Sequence, residues 1–114
     1  MEDLDKEVFR IALLDAQNRL LRDVVVSEGT LSASLVHPRE VFKPAILESA
    51  ASLILLHNHP SGDPTPSRED LRLTRQLVEC AELLDMRIHD HVIIGRERFI
   101  SLAQRGALAR AEDS

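Results

Sequence analysis

The chain has 114 residues, of which 44% are hydrophobic and 29% are charged, values that suit one globular domain with its own core. Its 14 Lys and Arg against 19 Asp and Glu give a net charge of −5, and it lacks Trp and Tyr, so direct nucleic-acid binding by this domain is not expected. A single cysteine, an acidic N-terminus and no apolar run near ~20 residues favour a cytoplasmic protein without a disulfide framework or membrane span. We expect residues 1–114 to form a single domain, with residues 110–114 as a frayed tail.

A β-hairpin is predicted at the start of the chain. Residues 7–15 and 20–26 are apolar enough for two strands, and residues 17–19 between them supply turn chemistry. A short third strand is predicted over residues 32–36, after Gly29 breaks the second run.

Helices and strands alternate after the hairpin. Pro38 suits the first turn of a helix over residues 38–51, and the apolar run 53–56 fits one buried strand. Residues 67–84 predict the longest helix, and residues 87–94 predict another strand before a short terminal helix capped by Ser101. The apolar stripe expected on the longest helix consists of Leu71, Thr74, Val78 and Ala81, with Leu77 and Leu84 beside it. This order predicts a mixed α/β fold, in which the strand–helix–strand unit around residues 38–51 is a right-handed crossover if its strands are parallel.

Two histidines stand at the end of the buried strand, separated by one residue. His57 and His59 should point to the same face, because residues i and i+2 of a strand do, and Pro60 ends the strand. Residues 61–66 form a polar loop stiffened by proline, and Asp70, in the first turn of the next helix, can return towards the histidines. Two imidazoles and one carboxylate are three protein ligands for zinc with a fourth position open, as in catalytic sites.

The same residues have a purely structural interpretation. Most His-x-His pairs in proteins are not ligands, and Ser67 with Asp70 has the spacing of a helix capping box. The cap and a metal site are compatible, because the cap fixes the turn that aims the Asp70 carboxylate.

The motif resembles the signature of the JAMM (MPN-type) metallopeptidases. That resemblance is carried by His57-x-His59-Pro60, a spacer of six residues, and Ser67-x-x-Asp70. One branch of these proteins, the bacterial RadC-like family, is similar over a longer motif, His-Asn-His-Pro-Ser-Gly-Asp-Pro-Thr-Pro-Ser-x-x-Asp.

The likeness to RadC-like proteins extends well beyond the motif. It continues in residues 36–42 before the motif and in residues 90–95 and 101–102 after it, so it covers about Glu7 to Leu102. It implies the MPN/JAMM architecture, a cytidine-deaminase-like arrangement of three layers in which helices flank a mixed central sheet. RadC-like proteins usually carry a small helical domain ahead of this one, so we expect either an excised domain or a short family member.

The resemblance implies a zinc-dependent hydrolase of amide, peptide or isopeptide bonds, acting on a protein or peptide-like substrate. It assigns the metal ligands to His57, His59 and Asp70, and it implies that the Ser67 hydroxyl stabilises the developing oxyanion. Glu7 lies where JAMM-type enzymes place the acid that acts as general base.

Glu40 competes with Glu7 for the role of general base. It lies in the first turn of the helix predicted over residues 38–51, where the helix dipole favours an acid for structural reasons alone, so we rank it second.

Two other functions compete with the hydrolase. A non-catalytic interaction module linked to DNA repair is the alternative to the hydrolase, although the complete ligand set favours the enzyme. A zinc nucleobase deaminase would need a His-x-Glu and a Pro-Cys-x-x-Cys, which a chain with one cysteine does not contain. The sequence leaves the substrate and the oligomeric state open.

Four further side chains have simpler expected roles. His89 and His91 form a second His-x-His pair without a carboxylate cluster, so we expect packing or hydrogen bonding near the site. Asp63 lies between Gly and Pro and fits a turn position. Cys80 falls within a helical pattern and is expected in the buried core.

Overall fold

The structure, a computed structural model, describes residues 6–29, 36–106 and 108. In this part of the chain five strands form one mixed sheet in the order β2-β1-β3-β4-β5, and two helices pack against it. The elements are β1 (Glu7–Leu14), β2 (Leu20–Gly29), α1 (Pro38–Leu47), β3 (Ser52–Asn58), α2 (Arg68–Leu83), β4 (Arg87–Ile94) and β5 (Phe99–Ser101). The predicted α/β class, with a mixed central sheet and flanking helices, is confirmed.

The N-terminal hairpin is also confirmed, and one carboxylate organises its turn. β1 and β2 pair antiparallel, and Asp15 Oδ1 accepts hydrogen bonds from the backbone N–H groups of Gln17 and Arg19, both at 2.9 Å. Asn18 takes the positive φ of 63° that the reversal requires. Of the third strand predicted over residues 32–36, residues 32–35 lie outside the described residues.

The parallel strands of the sheet flank α2, whereas the sequence suggested that the strands on either side of α1 could be parallel. β3 follows α1 but pairs antiparallel with β1, and it is β3 and β4 that run parallel, joined by α2. Because the motif loop returns the chain from the carboxyl end of β3 to the start of α2, the first turn of this helix lies beside His57 and His59.

Both helices cover the same face of the sheet and share one core. α1 and α2 contact each other, and their buried side chains cluster with alternate residues of the central strands. The cluster includes Val41, Phe42 and Ala45 of α1, Leu73, Leu77 and Ala81 of α2, and Ile11, Leu13, Leu53 and Leu55 of the strands. On the opposite face Ala12, Ile54 and Leu56 are only half-buried. The described residues therefore form two of the three layers that the resemblance implies.

The helices differ in detail from the prediction. α1 ends at Leu47 rather than at residue 51, because Ser49 adopts a left-handed φ of 54°. The buried stripe of α2 includes Thr74, but it begins at Asp70, so the prediction of a buried Leu71 is wrong. The reason is that Asp70 faces the histidines, which turns Leu71 to solvent with 42% of its surface exposed.

Two smaller predictions are corrected near the end of the chain. Cys80 is half-buried and packs against the edge of the core rather than within it. Ser101 ends β5, and residues 102–106 form turns instead of a helix, although the Ser101 hydroxyl accepts from the Gln104 N–H at 3.2 Å, as a helix cap would. The tail predicted over residues 110–114 lies outside the described residues. Neither described helix combines the length and the apolar character needed to cross a membrane.

Candidate metal centre

The carboxyl end of β3 carries the two histidines of the motif to one point. His57 is the penultimate residue of β3, and the N–H of His59 donates to the carbonyl of Ile94 at 2.9 Å. This bond continues the contact with β4 one residue beyond the strand. The alternation of a strand therefore still holds at His59, and both rings reach the same face.

Three side chains make mutual contacts at that point. The two Nε2 atoms of His57 and His59 are 3.1 Å apart, and the Asp70 carboxylate lies 3.3 Å from the first and 3.0 Å from the second. Zinc bonds of about 2.0–2.1 Å in tetrahedral geometry separate neighbouring ligand atoms by about 3.3 Å. The three separations therefore fit a small tetrahedral cation, and imidazole nitrogen with carboxylate oxygen is a donor set that zinc accepts.

The first turn of α2 holds Asp70 in place. Ser67 Oγ accepts from the Asp70 N–H at 3.0 Å, and the Ser67 N–H donates to Asp70 Oδ2 at 2.9 Å, so the predicted capping box is confirmed. Burial alone would raise the pKa of the Asp70 carboxyl, but the neighbouring His57 and His59 side chains hold this pKa well below its usual range. Asp70 is therefore an anion in the folded protein.

His59 has a defined proton position on its outer nitrogen. Its Nδ1 lies 2.9 Å from the carbonyl oxygen of Asp63, and a carbonyl only accepts, so Nδ1 carries a proton. The hydrogen bond with Asp70 raises the pKa of His59 above its ordinary value, against the effect of burial. The Nε2 of His59 is thus left to hold either a proton or a cation beside Asp70.

Glu7 enters the site from β1, the neighbouring strand. Its Oε1 lies 3.7 Å from His57 Nε2, farther than the Asp70 carboxylate, and Glu7, His57 and His59 each offer an atom within 4.8 Å of the others. Burial raises the pKa of the Glu7 carboxyl, partly offset by the two histidines. The competing acid, Glu40, is exposed on α1 beside Arg39 and lies outside this group.

Sequence reasoning missed Asn58, the residue between the two histidines. Its side chain points away from theirs and is almost fully buried, with Oδ1 accepting from the Val8 N–H at 2.7 Å and Nδ2 donating to the Lys6 carbonyl at 2.9 Å. Those two groups flank Glu7. A polar residue at the end of a buried strand indicates a buried hydrogen bond, but the sequence does not identify the partner, Val8, fifty positions away.

His91 lies behind His57, on β4. It is completely buried, with Nε2 2.7 Å from His57 Nδ1 and Nδ1 2.6 Å from the hydroxyl of Thr74. The prediction of hydrogen bonding near the site is confirmed for His91, and burial together with the nearby His57 ring lowers the pKa of His91 to about 3. The sequence predicts Thr74 only as a member of the apolar stripe of α2. The Nε2 of His89 is buried without a hydrogen-bond partner among the described residues.

The motif loop is fixed by its own turn and by a close approach to the β4–β5 connection. Asp63 Oδ1 accepts from the N–H and the hydroxyl of Thr65, as expected of a turn residue. The Gly62 carbonyl accepts from the Arg96 N–H at 2.8 Å, and a Cβ atom on Gly95 would lie only 2.3 Å from the Gly62 oxygen. Glycine at position 95 therefore lets the loop rest where its Asp63 carbonyl meets His59.

Comparison with known proteins agrees with the resemblance seen in the motif. A family model described as RadC-like JAB domain matches residues 1–107. A UPF0758 protein of Syntrophotalea carbinolica is 56% identical over 108 residues, which cover 95% of this chain and 48% of the relative. UPF0758 proteins of Geobacter sulfurreducens and Methanosarcina acetivorans are each 56% identical over 106 residues, covering 93% of this chain and 46% of the relative. The chain spans about half the length of these curated relatives.

Proposed function

This chain belongs to the RadC-like JAB domain family, and from that membership we propose that it acts as a zinc-dependent hydrolase of amide, peptide or isopeptide bonds. The observation that carries the proposal is the set of contacts of 3.0–3.3 Å among His57 Nε2, His59 Nε2 and the Asp70 carboxylate. Two ring nitrogens at this distance repel each other unless a proton or a cation lies between or beside them.

The three side chains would hold zinc with one position left for substrate or water. Asp70 supplies an anion, and both Asp70 and His57 are almost fully buried, which strengthens electrostatic attraction to a cation. When bound, zinc supplies Lewis acidity, which makes hydroxide available from water near neutral pH and polarises a carbonyl oxygen.

Glu7 is the general base of the proposed reaction. As the oxygen of water bonds to the carbonyl carbon, the Glu7 carboxylate takes its proton and then delivers it to the nitrogen that leaves when the C–N bond breaks. The raised pKa of Glu7 and its position 3.7 Å from His57 Nε2 support this role. The exposed Ser67 hydroxyl, whose oxygen already accepts from Asp70, can donate its proton to the developing oxyanion.

The proposed substrate is a protein or a peptide-like amide. We do not propose direct nucleic-acid binding, because the net charge is −5 and the sequence lacks Trp and Tyr. The single cysteine supports a cytoplasmic setting.

Metal content is the first test of this function. Elemental analysis of the purified chain should find about one zinc per chain, as expected for a three-ligand site, and a His57→Ala, His59→Ala double variant should lose it. The proposal fails if the wild type binds no zinc without chelators present, even after zinc is added back.

Hydrolysis is the second test, and it needs no known substrate. The zinc-loaded chain is incubated with a peptide library in oxygen-18-labelled water, and mass spectrometry should find the label in newly formed carboxylates. A chain that holds zinc but cleaves nothing would instead support a non-catalytic interaction module linked to DNA repair.

A further inference from the structure

We infer that His91 and Thr74 are positioning residues that fix the tautomer of His57, so that the Nε2 lone pair of His57 faces the proposed metal site. This inference rests on the proposed function, because the tautomer of His57 matters only if its Nε2 lone pair binds zinc. It follows from the donors and acceptors of three consecutive hydrogen bonds.

The order of donors starts at Thr74. Its hydroxyl oxygen lies 2.7 Å from the backbone carbonyl of Asp70 and 2.6 Å from His91 Nδ1. A carbonyl oxygen has no proton to give, and a hydroxyl has only one, so Thr74 donates to Asp70. The Thr74 oxygen must then accept from His91, which places a proton on His91 Nδ1.

The tautomer of His91 determines the tautomer of His57. It is completely buried, with the Phe9 ring edge-on at a centroid distance of 5.6 Å, and an unpaired cation is unfavourable in such surroundings. A neutral ring with its proton on Nδ1 has a lone pair on Nε2. That lone pair accepts from His57 Nδ1 at 2.7 Å, so the His57 proton lies on Nδ1.

The consequence at the site is that a neutral His57 has a bare Nε2. In metal sites the hydrogen bond made by one ring nitrogen decides which nitrogen binds the metal. His59 obtains the same arrangement from the Asp63 carbonyl, a backbone group that no side-chain substitution removes. His57 depends instead on two side chains, neither of which belongs to the proposed ligand set.

A pair of variants at Thr74 tests the inference. Thr74→Val keeps the shape of the side chain but removes the hydroxyl, so His91 Nδ1 loses its acceptor and His91 should move its proton to Nε2. That proton would donate to His57 Nδ1 and drive the His57 proton onto Nε2. Thr74→Ser keeps the hydroxyl and serves as the matched control.

Two measurements read the result. In the metal-stripped, nitrogen-15-labelled protein at mildly alkaline pH, two-bond proton–nitrogen correlations should show His57 with its proton on Nδ1 in wild type and Thr74→Ser, and on Nε2 in Thr74→Val. Competition with a chromogenic chelator should show zinc affinity about 10–100-fold weaker in Thr74→Val, the usual cost of losing a partner of a ligating histidine, and nearly unchanged in Thr74→Ser.

The outcomes separate this inference from the proposed function. A wild-type His57 with its proton on Nε2 overturns the inference, and so does equal zinc affinity in Thr74→Val and wild type, or an equal loss in both variants. The tautomers are read without metal, so a chain that binds no zinc defeats the proposed function while the spectra still decide the hydrogen-bond order. The wild-type spectrum decides that order even if Thr74→Val does not fold.

Discussion

The side-chain amide of Asn58 holds the backbone on both sides of Glu7. It accepts from the N–H that follows Glu7 and donates to the carbonyl that precedes it, at 2.7 and 2.9 Å. The ladder between β1 and β3 ends at Phe9 and His57, so this amide replaces the next rungs with two side-chain bonds. Glu7 is thereby kept close to His57 although it begins its strand.

Asn58→Ala should therefore lower turnover while leaving zinc content unchanged. The variant leaves the buried Val8 N–H without its partner, at a cost of about 1–3 kcal/mol, removes the bond to the Lys6 carbonyl and lets the start of β1 move away from the site. Chemical denaturation, zinc analysis and peptide hydrolysis measure the three effects. Ile11→Val, on the same strand, is the control: it should cost about 0.5–1.5 kcal/mol and keep full turnover. Equal turnover losses in both variants would contradict the positional role of Asn58.

Substituting the two candidate bases should separate them cleanly. Glu7→Gln should keep zinc and lose about 10²–10⁴-fold in turnover, the usual contribution of a positioned general base. Glu40→Gln should behave as wild type, because Glu40 is exposed on α1 beside Arg39 and lies outside the group formed by Glu7, His57 and His59. Loss of zinc in Glu7→Gln would show instead that Glu7 is a ligand.

Ser67 combines a structural and a proposed catalytic role that two variants can resolve. Ser67→Ala should unfold about 1 kcal/mol more easily through loss of the N-cap and turn over about 10²–10³-fold more slowly through loss of an oxyanion donor. Ser67→Asp keeps the cap acceptor but has no proton to donate, so thermal stability should be retained while turnover stays low. Full turnover in Ser67→Ala would remove Ser67 from the mechanism.

Zinc affinity should rise with pH through the titration of His59. The hydrogen bond with Asp70 raises the pKa of His59, so this proton stabilises the metal-free fold below the unfolded pKa of about 6.5 and ceases to do so as the pH rises through the raised value. Zinc needs the neutral ring and must displace the proton at lower pH. Calorimetric titrations in buffers of different ionisation enthalpy measure the displaced protons. An affinity independent of pH between about 6 and about 8 would contradict the assignment of His59 as a ligand.

Gly95→Ala should weaken zinc binding without touching a ligand. The new methyl group would lie 2.3 Å from the Gly62 carbonyl oxygen, which is backbone and can yield only if the motif loop moves. A displaced loop moves the Asp63 carbonyl away from His59 Nδ1. Chelator competition and thermal melting should both show a loss, and a variant with wild-type zinc affinity would show that the loop tolerates the displacement.

The sequence predicted the parts of the site that obey local rules. The alternation of a strand brings His57 and His59 to one face, and the spacing of a capping box aims Asp70 at them, so their positions follow from neighbours in the chain. The approach of Glu7 depends on pairing between strands fifty residues apart, which only the resemblance suggested. The same distance hid the bonds from Asn58.

The apolar stripe of α2 was misplaced for a related reason. Hydrophobic periodicity alone favours Leu71, but the helix is rotated so that Asp70 and Thr74 face inward, towards His57 and His91. A helix that supplies polar side chains to a site buries a different face from the one that hydrophobic periodicity alone predicts.

The unit β3–α2–β4 contains all three proposed ligands and both positioning residues, whereas the proposed base comes from β1. The proposed metal ligands and the proposed general base are therefore encoded in separate stretches of the gene. A glutamate codon becomes a glutamine codon by one nucleotide change, and such a change at position 7 would leave the ligand set and its supports intact. If this chain is a hydrolase, a relative that still binds the metal but no longer hydrolyses its substrate can arise through this single substitution.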